Sequence, residues 1–250
     1  MNIDLTDKTA LVTGGSRGIG REICIRLAGA GAKVVINYNR SEAEAEEVRN
    51  EIEKTGARAE VFRADISDHE QVEKLFQFLG SRFGGVDILV NNAGIIRDNL
   101  LLSMRLSDWD RVCNTNLRGA FICTQKAVEM MMPNHSGKII NIASVSALRG
   151  GRGQTNYAAA KGGLISFTRA AAVELSGKGI QVNAVLPGFI VTEMTRRVRK
   201  RAGDRILESI PAGRFGETGD VAGLVAFLAS NLSDYITGQV IAVDGGLSIA

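Results

Sequence analysis

The sequence predicts a doubly wound α/β fold, a parallel seven-stranded sheet with helices on both faces. Three observations carry this expectation. Short runs rich in Val and Ile recur along all 250 residues, and stretches of helical periodicity separate them. The runs are apolar on both alternations, which suits strands covered on two sides. No linker, repeat or low-complexity stretch divides the chain, so residues 1–250 are expected to form one domain with a sizeable core.

The elements follow in order. Lys8–Thr13 reads as a first strand that breaks into Gly14-Gly15-Ser16-Arg17-Gly18-Ile19-Gly20, and a helical pattern then runs through Ile23 and Leu27 to a stop at Gly29–Gly31. Lys33–Tyr38 is the second strand and Ala59–Arg63 the third. Ser41-x-x-Glu44 and Ser67-x-x-Glu70 have capping-box spacing, so the two serines are expected to start the next helices. Val86–Val90 is a fourth strand running into Asn91-Asn92-Ala93-Gly94, and a long helical stretch from about Ser107 to Met132 follows. Lys138–Ala143, Gln181–Leu186 and Val240–Val243 complete the seven, with a helix beginning near Thr218 before the last. Between Pro187 and Gly216 lie about 30 residues. That is far beyond the usual 2–6 residue connection of an α/β unit, and it reads as a substrate loop.

Composition narrows the function. A charge of +3 with 45% hydrophobic and 23% charged residues is ordinary for a globular enzyme and implies neither nucleic acid nor membrane as a partner. No basic and apolar leader opens the chain, and no apolar run reaches the roughly 18 residues needed to span a bilayer. A cytoplasmic protein is expected. Cys24, Cys113 and Cys123 are widely spaced and fit reduced, buried thiols. With His69 and His135 the only histidines, both read as surface residues, a zinc site or a Ser-His-Asp hydrolase has almost nothing to work with, and no metal is expected.

Chemistry concentrates in two places. The glycine turn after the first strand opens a helix, and such a turn lets backbone approach a phosphate at the positive end of the helix dipole. This suits a Rossmann-type dinucleotide site. The segment ending the second strand reads Asn37-Tyr38-Asn39-Arg40, with no carboxylate before Glu42, while Arg17 projects from the turn. A ribose 2′-phosphate would meet two guanidiniums and no repulsion, so NADPH/NADP+ is expected over NAD. The second place is Ser144 to Lys161. Tyr157-x-x-x-Lys161 puts a phenol and an ammonium on one helix face. A nearby positive charge favours the phenolate, whose ordinary pKa is about 10. Ser144, closing the fifth strand, is placed to hydrogen-bond an oxygen on which charge changes.

Taken together, Thr13-Gly14-x-x-x-Gly18-x-Gly20, Asp65, Asn91-Asn92-Ala93-Gly94, Asn116, Ser144, Tyr157-x-x-x-Lys161 and Pro187-Gly188 resemble the short-chain dehydrogenases/reductases in order and over essentially the whole chain. The resemblance implies a catalytic tetrad of Asn116, Ser144, Tyr157 and Lys161. Tyr157 would give a proton to the developing alkoxide, Ser144 would orient the carbonyl, Lys161 would lower the tyrosine pKa and hold the nicotinamide ribose, and Asn116 would anchor a water beside Lys161. It also implies that Gly14, Ser16, Arg17, Gly18, Ile19 and Gly20 take the pyrophosphate side. Asp65 and Ile66 would take the adenine, Asn92, Ala93 and Gly94 the ribose region, and Pro187, Gly188, Ile190 and Thr192 the nicotinamide end. Homotetramers are usual in the family.

Within it, Asn91–Leu101, Gly153–Lys161 and Pro187–Ile190 with Thr192 and Met194 are most similar to the bacterial 3-oxoacyl-[acyl-carrier-protein] reductases of fatty-acid synthesis. That similarity implies reduction of a 3-oxoacyl thioester, with His135 and Lys178 at the positions that dock the carrier protein. A reductase of some other ketone, and a non-catalytic NADP(H)-binding regulator, are the alternatives. Arg196–Arg201 places five cations in six residues inside the long loop. It reads either as a solvated helix face or as an anion-attracting rim for a phosphopantetheine carrier or CoA.

Overall fold

A computed structural model describes residues 3–250, apart from the side chains of Arg197, Val198 and Ala202. Among these residues one parallel sheet forms from β1 (Thr9–Val12), β2 (Lys33–Tyr38), β3 (Ala59–Arg63), β4 (Ile88–Asn91), β5 (Gly137–Ile142), β6 (Ile180–Pro187) and β7 (Val240–Val243). Their spatial order is β3-β2-β1-β4-β5-β6-β7. The chain therefore winds outward from β1 to β3, returns to β4 on the other side of β1, and winds outward again. The reversal between β1 and β4 is the switch point at which open α/β sheets leave a crevice beyond the strand carboxyl ends.

Strand alternation sorts the core into two layers. Ala10, Val12, Val34 and Ile36 join one cluster with Ile23 and Leu27 of α1 (Gly18–Gly29), Val48 of α2 (Glu42–Glu53) and Val225 of α9 (Thr218–Ala229). Leu11, Val35 and Leu89 join the other with Leu75 and Leu79 of α3 (His69–Phe83), Ile122 of α5 (Gly119–Met131) and Ala171 of α7 (Thr155–Leu175). Each fully buried leucine contributes about 1.5–3 kcal/mol of transfer free energy. That burial is what fixes the strand ends facing the crevice.

Local expectations hold at the strands and fail at several helix ends. Ser67 is not a cap: its hydroxyl donates to Asp65 Oδ1 at 2.6 Å, and the neighbouring Asp68 caps α3 by accepting from the N–H groups of Glu70 (3.0 Å) and Gln71 (3.2 Å). A carboxylate meeting two orphan amides at the positive helix end outcompetes a hydroxyl already engaged. Ser41 precedes α2 but makes no side-chain capping bond. The long helical stretch expected from Ser107 to Met132 forms as one unbroken run, α4 (Leu106–Cys113), a π-helical turn over Asn114–Arg118 and α5, and it carries Asn116. A wider turn of this kind interrupts the regular ladder, a feature common at functional sites. The long Pro187–Gly216 connection is largely helical, with α8 spanning Glu193–Glu208. His69 and His135 are exposed, Cys24 and Cys123 buried and Cys113 half-buried, all three thiols free. No helix among the described residues is long and apolar enough to cross a membrane.

Candidate active site

The crevice is built first by side chains that face away from it. Thr13, at the end of β1, accepts from the N–H groups of Asn92 and Ala93, both at 3.0 Å. Asn92 Nδ2 returns to the carbonyls of Thr13 (2.9 Å) and Gly14 (3.0 Å). Asn37 is buried, donates to the carbonyls of Phe62 (3.3 Å) and Ala64 (3.1 Å), and accepts from the Gly14 N–H at 3.4 Å. Two residues expected to touch cofactor thus serve as struts that stitch the glycine turn to β2, β3 and β4. Gly14 sits at φ +63°, where a Cβ would lie 2.9 Å from the Ala93 Cα. A Cβ on Gly20 would run into the Gly14 carbonyl and the Asn92 amide.

That turn delivers a helix end suited to an anion. Arg17 at the N-cap of α1 makes no side-chain capping bond, and the first turn holds no acidic residue. Its leading amides and dipole therefore face the crevice unopposed. Ser16 is buried in the turn, and Ile19 packs on the core beneath it. A dinucleotide pyrophosphate fits this cradle, because the glycines leave room for it and the amides supply donors.

Around the adenosine side, Asn39 Nδ2 donates to Asp65 Oδ2 at 2.9 Å. Burial pushes the Asp65 carboxyl up, but hydrogen bonds from Ser67 and Asn39 outweigh it and hold the group below its ordinary value. Ile66 is buried, packed where a Cβ on Gly119 would collide. Arg40 is exposed, and Arg17 is exposed with its guanidinium 4.0 Å from Glu193.

The second half of the crevice opens at the end of β5. Ser144 follows the strand, 9% exposed, and its Oγ accepts from the Ser146 N–H at 3.2 Å as the short α6 (Ser146–Arg149) begins. Tyr157 lies in the first turn of α7, half-buried, with its phenol beside the Ser144 hydroxyl. Burial raises the Tyr157 pKa, the Ser144 hydroxyl pulls it down and the Asp98 carboxylate adds to the rise, leaving it above the ordinary tyrosine value. Lys161, one turn on, is 3% exposed, with Nζ 5.9 Å from the centre of the Tyr157 ring and donating to the Ile142 carbonyl at 2.6 Å. Burial lowers its pKa to about 8. The expected depression of the tyrosine by Lys161 is absent from this geometry. The ammonium is aimed at a carbonyl, and burial of the phenol governs.

Asn116 stands in the π turn, buried, accepting from the Ile95 N–H at 2.8 Å and donating to the Ile95 carbonyl at 3.0 Å. Its Oδ1 and the Lys161 Nζ both approach Gly94, at 3.4 and 3.6 Å from where a Cβ would stand. The tetrad expected from sequence is therefore brought into one neighbourhood by β5, α7, the π turn and the loop after β4.

The far wall follows β6. Gly188 N–H donates to Val243 at 3.0 Å, and a Cβ there would be 2.7 Å from that of Asp244. Beyond Pro187, Ile190 is buried and bridged to Gly216. Thr192 caps α8, accepting from the Thr195 N–H at 3.4 Å, and its methyl lies 3.5 Å from the space above Gly18. Thr192, expected at the nicotinamide end, and the glycine turn thus face each other across one cleft.

Four contacts at this site were not read from the sequence. Asn156 Nδ2 donates to the Arg97 carbonyl at 2.9 Å, while its Oδ1 accepts from the Tyr157 N–H at 2.7 Å. Asn99 N–H donates to the Gly153 carbonyl at 2.9 Å, and Gln154 Nε2 to Asp98 Oδ2 at 3.2 Å. Together they clamp the loop after β4 to the start of the Tyr157 helix. The only trace in the sequence is polar residues flanking both motifs.

Basic residues lie at two ends of the sheet. On α8, Arg196, Lys200, Arg201 and Arg205 are exposed, and none has an ion-pair partner among the described residues. Arg199 reaches the Thr192 carbonyl at 3.5 Å; the side chain of Arg197 lies outside the described residues. His135 and Lys178 are exposed and adjoining, since Gly179 packs on the His135 carbonyl, but they precede β5 and β6. They lie at the amino-terminal ends of β5 and β6, opposite the crevice.

Comparison with known proteins agrees with this architecture. Residues 14–248 match the family model described as Enoyl-(Acyl carrier protein) reductase. A 3-oxoacyl-[acyl-carrier-protein] reductase of Staphylococcus epidermidis is 48% identical over 96% of this chain and 99% of its own. Another, from Synechocystis, is 46% identical over 97% and 98%. Among solved structures, a protein from Agrobacterium tumefaciens proposed to be a gluconate dehydrogenase superposes with a TM-score of 0.97 at 36% identity over both whole chains. Levodione reductase gives 0.94 at 37% identity, covering 98% of this chain and 99% of that one.

Proposed function

Because the chain belongs to the short-chain dehydrogenase/reductase family, we propose that this oxidoreductase reduces the ketone of a 3-oxoacyl thioester to the 3-hydroxyacyl thioester with NADPH. The observation that carries the reading is the Ser144–Tyr157 hydroxyl pair at the carboxyl end of β5, backed by buried Lys161. NADPH, when bound, supplies the hydride to the carbonyl carbon. Ser144 donates a hydrogen bond to the carbonyl oxygen and Tyr157 transfers its proton there as negative charge develops. A phenol kept neutral by burial is the form that reduction requires. Lys161, protonated below about pH 8, offers positive charge behind the tyrosine. Asn116 holds Ile95 and flanks Lys161, so its part is to fix the inner wall.

Selection of NADPH is supported by Arg17 and Arg40 at the rim of the adenosine side and by the absence of a carboxylate from the end of β2. The carrier is an acyl carrier protein or CoA, supported by the curated relatives and by the unpaired cations of α8 just past Thr192. His135 and Lys178 lend this less support, because they lie at the amino-terminal ends of the strands, away from the crevice. Homotetramer formation is supported by exposed Phe121 on α5 and Val173 on α7. A second reading, reduction of a small free ketone, is favoured by the likeness to levodione reductase. The intact Ser144-Tyr157-Lys161 set argues against a regulator without activity.

The test is NADPH oxidation with acetoacetyl groups on acyl carrier protein, on CoA and on a short pantetheine analogue, with NADH in parallel. Preference for a carrier-linked substrate with NADPH supports the proposal. Turnover of free ketones alone would move the protein to the second reading.

A further inference from the structure

We propose that Asn156 is a positioning residue for the reaction: its buried carboxamide fastens residues 95–99 to the first turn of α7 and so sets where Tyr157 meets the substrate carbonyl. This rests on the carbonyl-reductase reading above and adds to it a residue outside the tetrad. The segment after β4 is anchored at every second residue. Asn116 holds the N–H and the carbonyl of Ile95 at 2.8 and 3.0 Å, Asn156 Nδ2 donates to the Arg97 carbonyl at 2.9 Å, and the Gly153 carbonyl accepts from the Asn99 N–H at 2.9 Å. Gly153 sits at φ +84°, with the Asn99 carbonyl 3.5 Å from where a Cβ would stand, so this strap and the loop before α7 lie in contact.

Asn156 is 0% exposed, so both halves of its carboxamide need partners inside the protein. Its Oδ1 accepts from the Tyr157 N–H at 2.7 Å. That amide lies in the first helical turn, where no carbonyl of the helix reaches it, and Gln154 at the N-cap supplies no side-chain bond. Its Nδ2 donates to Arg97 and lies 3.4 Å from Met104 Sδ. One side chain thus meets the helix backbone through its oxygen and the strap backbone through its nitrogen. Ser144 and Asn116 are held at other points, the first by the Ser146 N–H and the second by Ile95. Of these groups it is the Tyr157 amide that Asn156 holds. Aspartate could copy the arrangement only with its carboxyl protonated, donating to Arg97 and accepting from Tyr157; ionised, it would set an acceptor against an acceptor. The charged side chains next along the strap are engaged elsewhere, the Arg97 guanidinium 4.0 Å from Asp108 and Asp98 accepting from Gln154.

The experiment compares wild type, Asn156→Ala and Asn156→Asp on the acetoacetyl pantetheine analogue, with sites counted by NADPH fluorescence titration so that unfolded protein does not enter kcat. Per NADPH-binding site, kcat in Asn156→Ala should fall on the order of 10–100-fold, the scale of a misplacement of about 1 Å, with the NADPH dissociation constant changed less than about twofold. In Asn156→Asp, kcat should climb towards wild type as pH is lowered from about 8 to about 6 and burial returns the proton to the carboxyl, a rise that wild type and Asn156→Ala do not share. A residue that only supports the fold would lower the number of binding sites and leave kcat per site unchanged; that result overturns the inference, and so does an Asn156→Asp profile parallel to wild type. Should Asn156→Ala yield no binding sites, the Asn156→Asp profile carries the same decision. Amide hydrogen exchange needs no substrate. In Asn156→Ala the Tyr157 and Asn99 amides should exchange at least about tenfold faster while those of β5 keep their wild-type rates, and unchanged exchange at Tyr157 overturns the inference. Wild-type failure on the thioester, with the exchange change present, would sink the substrate reading and leave the link between Asn156 and Tyr157 standing.

Discussion

The floor and the rim of the crevice are built on opposite terms. On the floor, the side chains of Thr13, Asn37, Asn92, Asn116 and Asn156 each hydrogen-bond backbone inside the protein. At the rim, Arg17, Arg40, Arg196, Lys200, Arg201 and Arg205 stand in water, with one loose contact between Arg17 and Glu193. Buried polar groups must be satisfied where they stand, so the floor has one geometry. Exposed cations can meet whatever anion arrives. The comparison assigns the reaction to the floor and the choice of cofactor and carrier to the rim.

Breaking the floor should have the largest effect. Tyr157→Phe removes the proton donor and keeps the ring, so kcat should fall on the order of 10²–10⁴-fold. The NADPH dissociation constant, read by fluorescence, should change less than about twofold. Near-full turnover in this variant would remove Tyr157 from the mechanism.

The same region sets the response to pH. Tyr157 is neutral below its raised pKa, and Lys161 is charged below about pH 8. Reductive kcat should therefore hold through neutrality and decline above about pH 8 as the lysine loses its proton. In the oxidative direction Tyr157 must first lose its proton, so that rate should climb with pH. A reductive profile rising through pH 8 would contradict the assignment.

At the rim, effects should be smaller and selective. Replacing Arg17 and Arg40 with Ala should weaken NADPH binding on the order of tenfold, the worth of a hydrogen bond to a charged group, and leave NADH nearly unchanged. Parallel loss for both cofactors would place the arginines elsewhere. Reversing Lys200 and Arg201 to Glu should raise KM for a carrier-linked substrate by about two- to fivefold at low salt, as befits exposed charges, and spare a small ketone. The difference should fade as ionic strength shortens the screening length towards about 3 Å at 1 M. Equal shifts on both substrates would show that α8 acts through folding.

How far this was legible in the sequence follows the same division. The strands were legible because each is a short, largely apolar run, most of them rich in Val and Ile. Ser144, Tyr157 and Lys161 stood out because one ends a strand and the other two share a helix pitch, while Asn116 came only through the resemblance to the family. What escaped was decided by competition between neighbours. Ser67 and Asp68 both suit a helix start, and only the fold shows that Asp65 takes the serine. Asn37 was read with the end of β2 and Asn92 through the resemblance, and neither reading showed that their side chains also hydrogen-bond the glycine turn. Lys161 lies on the same helix face as Tyr157, and the Ile142 carbonyl turns its ammonium away. The α8 helix was hidden in a connection that only looked too long. The strap held by Asn156 left no periodic signal, because its placement depends on a loop crossing to α7.

The most direct measurement sets a ketone against an alkene on one carrier: NADPH oxidation with acetoacetyl-CoA and with crotonyl-CoA under identical conditions. The Ser144–Tyr157 pair is arranged to receive and protonate a carbonyl oxygen at the carbon that takes the hydride, so the acetoacetyl thioester should be reduced and the crotonyl thioester left intact. Reduction of the crotonyl thioester with the acetoacetyl group untouched would contradict that claim.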